Sequence, residues 1–186
     1  KNVAVIGGGN VALDAAVTAM KLGAERVIVL YRRTKEQMPG WDSEYLEAAA
    51  LGVEFRWLSV VEEVLENAGE VSAVRVGSMR LTEPGADGRR KVVPDGNVPA
   101  YILPCDQVIH ALGQIPDPSL ANLFGLETNL NGALQVNPQT WQTSDPGIFA
   151  GGECAGGGST ISTSLSQGMQ AARAMHTSWL EKAGKS

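Results

Sequence analysis

Apolar residues recur along this chain in two rhythms. Residues 3–6 form an unbroken apolar run, as in a strand buried on both faces. Gly7, Gly8 and Gly9 follow. The period then lengthens: Val11, Ala15, Thr18, Ala19 and Leu22 recur at spacings of three and four, which predicts a helix over 10–22. Gly23 stands where a helix C′ glycine is expected. Residues 26–31 (RVIVLY) return to a short β-branched run, a second strand. Strand, glycine turn, helix and strand make a βαβ unit of about 30 residues.

Pro39 and Gly40 mark a break. Asp42 or Ser43 is placed to cap a helix running to about residue 51, closed by Gly52. Residues 53–58 read as a third strand and 62–67 as a connection. Partial alternation over 71–81, a Pro/Gly/Asp loop over 83–88, and short strands at 90–93 and 101–103 about the turn Pro94, Asp95, Gly96 predict a hairpin or meander. Residues 108–112 (VIHAL) read as another buried strand, ending at Gly113. Pro116 and Pro118 mark a linker, and 119–140 has the composition of a loop. A turn over 144–147 leads into a short apolar strand and glycines, and 160–180 reads as a final helix with a polar tail. The fold class is therefore α/β, a Rossmann-like domain carrying a β-meander.

Composition narrows the function. The 186 residues are 44% hydrophobic and 19% charged, ordinary for a water-soluble chain with a core. A net charge of −5 and only 5% aromatic residues argue against a nucleic-acid partner. No apolar run approaches the ~18 residues of a membrane span, and nothing resembles a signal peptide. The expected location is cytoplasmic, with Cys105 and Cys154 as reduced thiols. Neither they nor His110 and His176 show metal-ligand spacing, so no metal site is expected. The chain opens at Lys1 almost directly on a core strand, as expected of a segment from a longer polypeptide.

The chemistry concentrates at the first turn. Gly7-x-Gly9-x-x-Ala12 follows a strand and opens a helix. Such a turn needs one glycine for a tight bend, one for close approach of backbone to a pyrophosphate, and a small residue for helix–strand packing. The backbone of Gly7, Gly8, Gly9, Asn10 and Val11 thus becomes the candidate phosphate cradle, aided by the helix N-terminus. The end of the second strand selects the cofactor. NAD and FAD sites place a carboxylate there for a ribose hydroxyl. This chain has Arg32 and Arg33, with Lys35 just after, and guanidinium groups suit a 2′-phosphate. The expected cofactor is NADP(H). Asp14, in the first two helical turns, faces either solvent or the nicotinamide end. No catalytic acid, base or nucleophile is expected, since no G-x-S-x-G elbow or usable histidine exists.

Residues 1–14 (KNVAVIGGGNVALD), with Tyr31, Arg32 and Arg33 and the stretch Glu36, Gln37, Met38, Pro39, resemble the glutamate synthase small (β) subunit and its relatives. These are pyridine nucleotide-disulfide oxidoreductase-like flavoenzymes, among them the NADPH-binding part of dihydropyrimidine dehydrogenase. The resemblance continues through 106–116 (DQVIHALGQIP), similar to the family's D-x-V-I-x-A-x-G-Q-x-P strand. It extends into 143–153 (TSDPGIFAGGE), similar to its T-S-x-P-G-x-F-A-x-G-D segment, with Glu153 where the usual acid is Asp.

The resemblance implies an NADP-binding domain over 1–116 and the returning portion of a split FAD-binding domain over 117–186. It implies that Gly113, Gly152 and Glu153, and the backbone from Ser159 through Thr160 to Ile161, belong to the cofactor sites. It also implies partners: the FAD half of the same polypeptide, and an iron–sulfur protein or a glutamate synthase large subunit. Taken alone, the chain is expected to bind NADPH, to be inactive and to purify colourless. The rival reading is a non-catalytic NADP(H) sensor or docking module. The flavin-type residues over 143–161 favour the first reading, because a sensor has no use for them.

Overall fold

The computed structural model describes residues 1–85, 90–156 and 160–184. The chain divides into two compact units, Lys1–Gly113 and Gln114–Ser186.

The first unit is built on four parallel strands: β1 (Asn2–Ile6), β2 (Arg26–Tyr31), β3 (Glu54–Trp57) and β8 (Gln107–His110). Their order in the sheet is β3-β2-β1-β8. Val3 pairs with Val27 and with Gln107, and Ile6 with Leu30 and with His110. Alternation assigns the two faces of the apolar runs. Val3, Val5, Val27 and Val29 meet Ala12, Leu13 and Ala16 of α1 (Asn10–Lys21) and Ala48 of α2 (Asp42–Ala50). Ala4, Ile28 and Leu30 point the other way, to Val74, Val76, Leu103 and Cys105. Of these last four, all but Cys105, which follows directly on β7, belong to an antiparallel meander of β4 (Ser59–Asn67), β5 (Glu70–Leu81), β6 (Val92–Pro94) and β7 (Tyr101–Pro104), in which β5 pairs with all three others. Helices, parallel sheet and meander thus form three layers. A continuous apolar run, where alternation would suffice for a half-exposed sheet, is what such a middle layer requires.

Several elements depart from the sequence-based expectation. Residues 62–67, expected as a connection, lie inside β4. Register shifts between Val61 and Glu63 and between Leu65 and Glu66 break the strict alternation that marks a strand. The third strand ends at Trp57, because Leu58 takes a left-handed conformation (φ 51°) that turns the chain into β4. The strand expected at 90–93 is shifted to Val92–Pro94. Its proline is tolerated on a strand that, among the described residues, pairs only with β5. Of the loop expected over 83–88, residues 86–88 lie outside the described residues. Helix α2 starts at Asp42 itself, with Trp41 in the cap position.

The second unit has a small core of Ala121, Leu126, Leu134, Ala150 and Ala155. Residues 118–124, expected as linker and loop, form helix α3 (Pro118–Phe124). Asp117 accepts a hydrogen bond from the Ser119 N–H, Pro118 occupies the first turn, and Gly125 closes the helix in the left-handed region. The short strand expected after 147 is reduced to a single bridge between Gln142 and Phe149. Helix α4 (Glu153–Gly156) is one turn. Helix α5 (Ile161–Ala183) is capped by Thr160, whose hydroxyl accepts from the Thr163 N–H. Large side chains stand exposed along it: Ile161, Leu165, Met169, Trp179 and Leu180. No helix among the described residues is long and apolar enough to cross a membrane.

Candidate functional site

The parallel sheet positions the site. Strand β1 lies between β2, reached through α1, and β8, reached through the meander. The carboxyl end of β1 is therefore the point where strand order reverses, and ligands bind open α/β sheets there. Gly7, Gly8 and Gly9 occupy that point.

Each glycine has its own reason. Gly7 has φ +148°, donates its N–H to the Leu30 carbonyl at 3.1 Å, and leaves no room for a Cβ against the Ala111 backbone. A Cβ on Gly8 would lie 2.5 Å from two ring carbons of Tyr31. Gly9 differs: nothing lies within 4 Å of its missing Cβ, and it is the N-cap of α1 without a capping side chain. The helix therefore presents its first-turn N–H groups and its positive dipole end beside open space. That arrangement fits a pyrophosphate, since the groups that neutralise it are in place and none of the described residues lies within 4 Å of a Cβ built on Gly9.

Beyond β2, the segment from Arg32 to Trp41 folds back over this turn. A single 3-10 turn (Lys35–Gln37) shapes it. The Tyr31 hydroxyl donates to the Gln37 carbonyl at 3.0 Å, and the Gly40 N–H donates to the Gly8 carbonyl at 3.0 Å. The Trp41 N–H donates to Asn10 Oδ1 at 2.9 Å, and the Leu58 N–H to the Arg33 carbonyl at 3.0 Å. Lys35 Nζ lies 4.1 Å above the Tyr45 ring, within a cluster in which Phe55 and Trp57 stack at 5.3 Å. Arg32 is exposed and Arg33 half-buried. Among the described residues neither forms an ion pair. Burial pushes the Tyr31 phenol up, while the nearby Arg33 and Arg32 charges pull it down. Two guanidinium groups without a carboxylate partner, at the end of β2, suit a dianionic phosphate.

Val11 and Asp14 are exposed on α1. With Ala15, Thr18, Leu22 and Ile109 they line an apolar groove of 590 Å³ beside β8. Asp14 has an unforeseen neighbour: Glu44 of α2, whose Oε2 is buried without a hydrogen-bond partner. Burial and then the charges of Asp14 and Glu47 push the Glu44 carboxyl above its ordinary range. Its sequence signal is only an acid in the first turn of a helix. Ala111 and Gly40 also border the glycine turn, with no sequence signal that marks them as site residues. A Cβ on Gly40 would lie 2.7 Å from Leu13 Cδ1, so the break at Pro39 and Gly40 is also a packing contact. Gly113 adopts φ +88° with open space about it.

In the second unit the Gly152 N–H donates to Gln167 Oε1 at 2.8 Å. Gly151 seats closely on the α5 backbone at Gln167. Glu153 opens α4, Thr160 caps α5, and Ile161 is its exposed first residue. Gly157, Gly158 and Ser159 of the expected flavin segment lie outside the described residues. No group of three or more His, Cys, Asp or Glu among the described residues is placed to hold a metal ion.

The chain resembles known proteins over most of its length. Residues 1–175 match the family described as Pyridine nucleotide-disulphide oxidoreductase. The chain is 40% identical over 175 residues to the NADP(+)-dependent formate dehydrogenase subunit beta of Moorella thermoacetica, covering 92% of this chain and 24% of that protein. It is 34% identical over 187 residues to the glutamate synthase [NADPH] small chain of Escherichia coli, covering 97% of this chain and 39% of that one. The chain thus spans well under half the length of these relatives. Among solved structures, the thioredoxin reductase of T. acidophilum superposes with a TM-score of 0.76 at 21% identity, over 97% of this chain and 53% of that one. At that identity the likeness shows the fold.

Proposed function

The chain belongs to the pyridine nucleotide-disulphide oxidoreductase family, and from that premise we propose that it is the NADPH-binding portion of a flavin oxidoreductase of the glutamate synthase small-subunit type. The unit Lys1–Gly113 receives NADPH, and the unit Gln114–Ser186 contributes to an FAD site. Electrons leave toward an iron–sulfur partner. The observation that carries this reading is the pair Arg32 and Arg33, free of carboxylates, beside an open glycine turn.

The chemistry supplied by the bound cofactors is hydride transfer from nicotinamide C4 to flavin N5. The chain's own residues bind and orient. The α1 N-terminus and the backbone at Gly9 meet the pyrophosphate, Arg32 and Arg33 meet the 2′-phosphate, and Asp14 lies along α1 toward the nicotinamide end. Gly152, Glu153 and the α5 N-terminus at Thr160 and Ile161 form this chain's share of the flavin site. The apolar row exposed on α5 supports the reading that this helix packs against further protein.

The test uses the full-length polypeptide that contains this chain, purified with its flavin and mixed without oxygen with NADPH or with NADH. The flavin absorbance is expected to bleach with NADPH, and much faster than with NADH. NADPH that binds without any bleaching would instead make the chain a sensing or docking module.

A further inference from the structure

We propose that Asn10 and Tyr31 are positioning residues for cofactor selection: they hold the loop carrying Arg32 and Arg33 against the glycine turn, so that the backbone bearing both guanidinium groups is set in place before the nucleotide arrives. The proposal rests on the NADP reading of the site and says how the chain achieves that preference.

The hydrogen bonds set one side chain at the end of the loop's return and the other at its middle. Asn10 is the first residue of α1, where its backbone belongs to the phosphate cradle. Its side-chain oxygen is already engaged, accepting the Trp41 N–H at 2.9 Å. Trp41 is the cap position of α2, so this one bond ties the start of α1 to the start of α2. One residue earlier, the Gly40 N–H meets the Gly8 carbonyl at 3.0 Å, and a Cβ on Gly40 would collide with Leu13. Tyr31 acts from the other side. Its ring fills the space over Gly8, and its hydroxyl donates to the Gln37 carbonyl, bracing the middle of the loop. The Arg33 carbonyl is held in turn by the Leu58 N–H.

This matters because a charged fork recognises phosphate by geometry as well as by charge. A loop that has to be ordered on binding lowers affinity by the entropy of ordering it, whereas a loop ordered during folding does not. Only a ligand bearing the 2′-phosphate gains from arginines on a backbone already set in place. Loss of the brace should therefore weaken that ligand selectively. Loss of a merely structural contact would weaken every nucleotide alike, or only the melting temperature.

The probes are 2′,5′-ADP and 5′-AMP, which differ by the 2′-phosphate alone, titrated calorimetrically into the whole 186-residue chain. In Asn10→Ala the preference for 2′,5′-ADP over 5′-AMP should fall roughly three- to tenfold, the range expected for one lost hydrogen bond. Asn10→Asp keeps an acceptor for the Trp41 N–H. It should keep the preference, although its added charge weakens both probes. Tyr31→Phe retains the ring over Gly8 and loses only the donor, so its preference should fall as well. It also serves as the test if Asn10→Ala does not fold. Wild-type preference in both Asn10→Ala and Tyr31→Phe would overturn the positioning role while leaving the NADP reading intact. Equal affinity of the unmodified chain for the two probes would remove the NADP reading, and this proposal with it.

Discussion

The ring of Tyr31 occupies the space that any side chain at Gly8 would need, with a Cβ there falling 2.5 Å from ring carbons Cδ2 and Cε2. The end of the second strand is thereby packed onto the turn that follows the first. Gly8→Ala must displace the ring, and with it the hydroxyl that holds the Gln37 carbonyl. Overpacking of this kind costs about 1–3 kcal/mol, to be read as a lower urea midpoint at unchanged slope.

The two arginines should act on the cofactor and not on the fold. Neither forms an ion pair among the described residues, so replacing both with alanine should leave the melting temperature nearly unchanged. Charge-assisted hydrogen bonds contribute about 1.5–3 kcal/mol each, so NADPH binding should weaken at least tenfold while NADH binding changes little. Raised salt should narrow the difference between wild type and variant.

Two carboxyls should respond to pH with opposite sign. Glu54 holds Arg26 through two bonds of 2.7 and 2.8 Å, joining β2 to β3, and this hydrogen bonding lowers its pKa. Its contribution is present above the ordinary carboxylate range and disappears as pH falls through the lowered value. Both side chains are over a third exposed, so solvent keeps the effect of Glu54→Gln at neutral pH to about 1 kcal/mol or less. Glu44 is raised, chiefly by burial. Ionising it in the folded state is unfavourable, so Glu44→Gln should stabilise the chain at neutral pH and change nothing in acid below the ordinary carboxylate range. Thermal melts of both variants across the acid range read both effects.

Leu13 is fully buried between α1 and the sheet, and its Cδ1 also bounds Gly40. Leu13→Ala should cost about 2–5 kcal/mol, measured by chemical denaturation. Because the same cavity loosens the seat of Gly40, the variant should also bind NADPH less tightly at temperatures where it remains folded.

How far the sequence foretells these features depends on the range of the interactions. The βαβ unit was legible because β1 and β2 are apolar on both faces and small or apolar residues recur along α1, but the stripe was misplaced: Val11, Thr18 and Leu22 are exposed, and α1 packs on the sheet through Ala12, Leu13 and Ala16. Local chemistry likewise announced Gly23 and Gly52, both at φ +90° after their helices. Strand β4 was hidden because its two register shifts carry three glutamates out of phase with the valines. Helix α3 was hidden because Pro116 and Pro118 resemble a linker, although Asp117, Pro118 and Gly125 spell its start and stop. At the candidate site, local pattern and residue type alone nominate Gly7, Gly9, Arg32 and Arg33. The packing of Gly8 on Tyr31, Gly7 on Ala111 and Asn10 on Trp41 joins residues 23, 104 and 31 positions apart, distances at which no local pattern operates.

The central claim is that the end of β2 selects NADPH. The most direct measurement is a pair of dissociation constants, for NADPH and for NADH, on the unmodified chain at one salt concentration. Tighter binding of NADPH, by about tenfold or more as one or two charge-assisted contacts to the 2′-phosphate require, is the predicted result. Equal constants for the two nucleotides would contradict it.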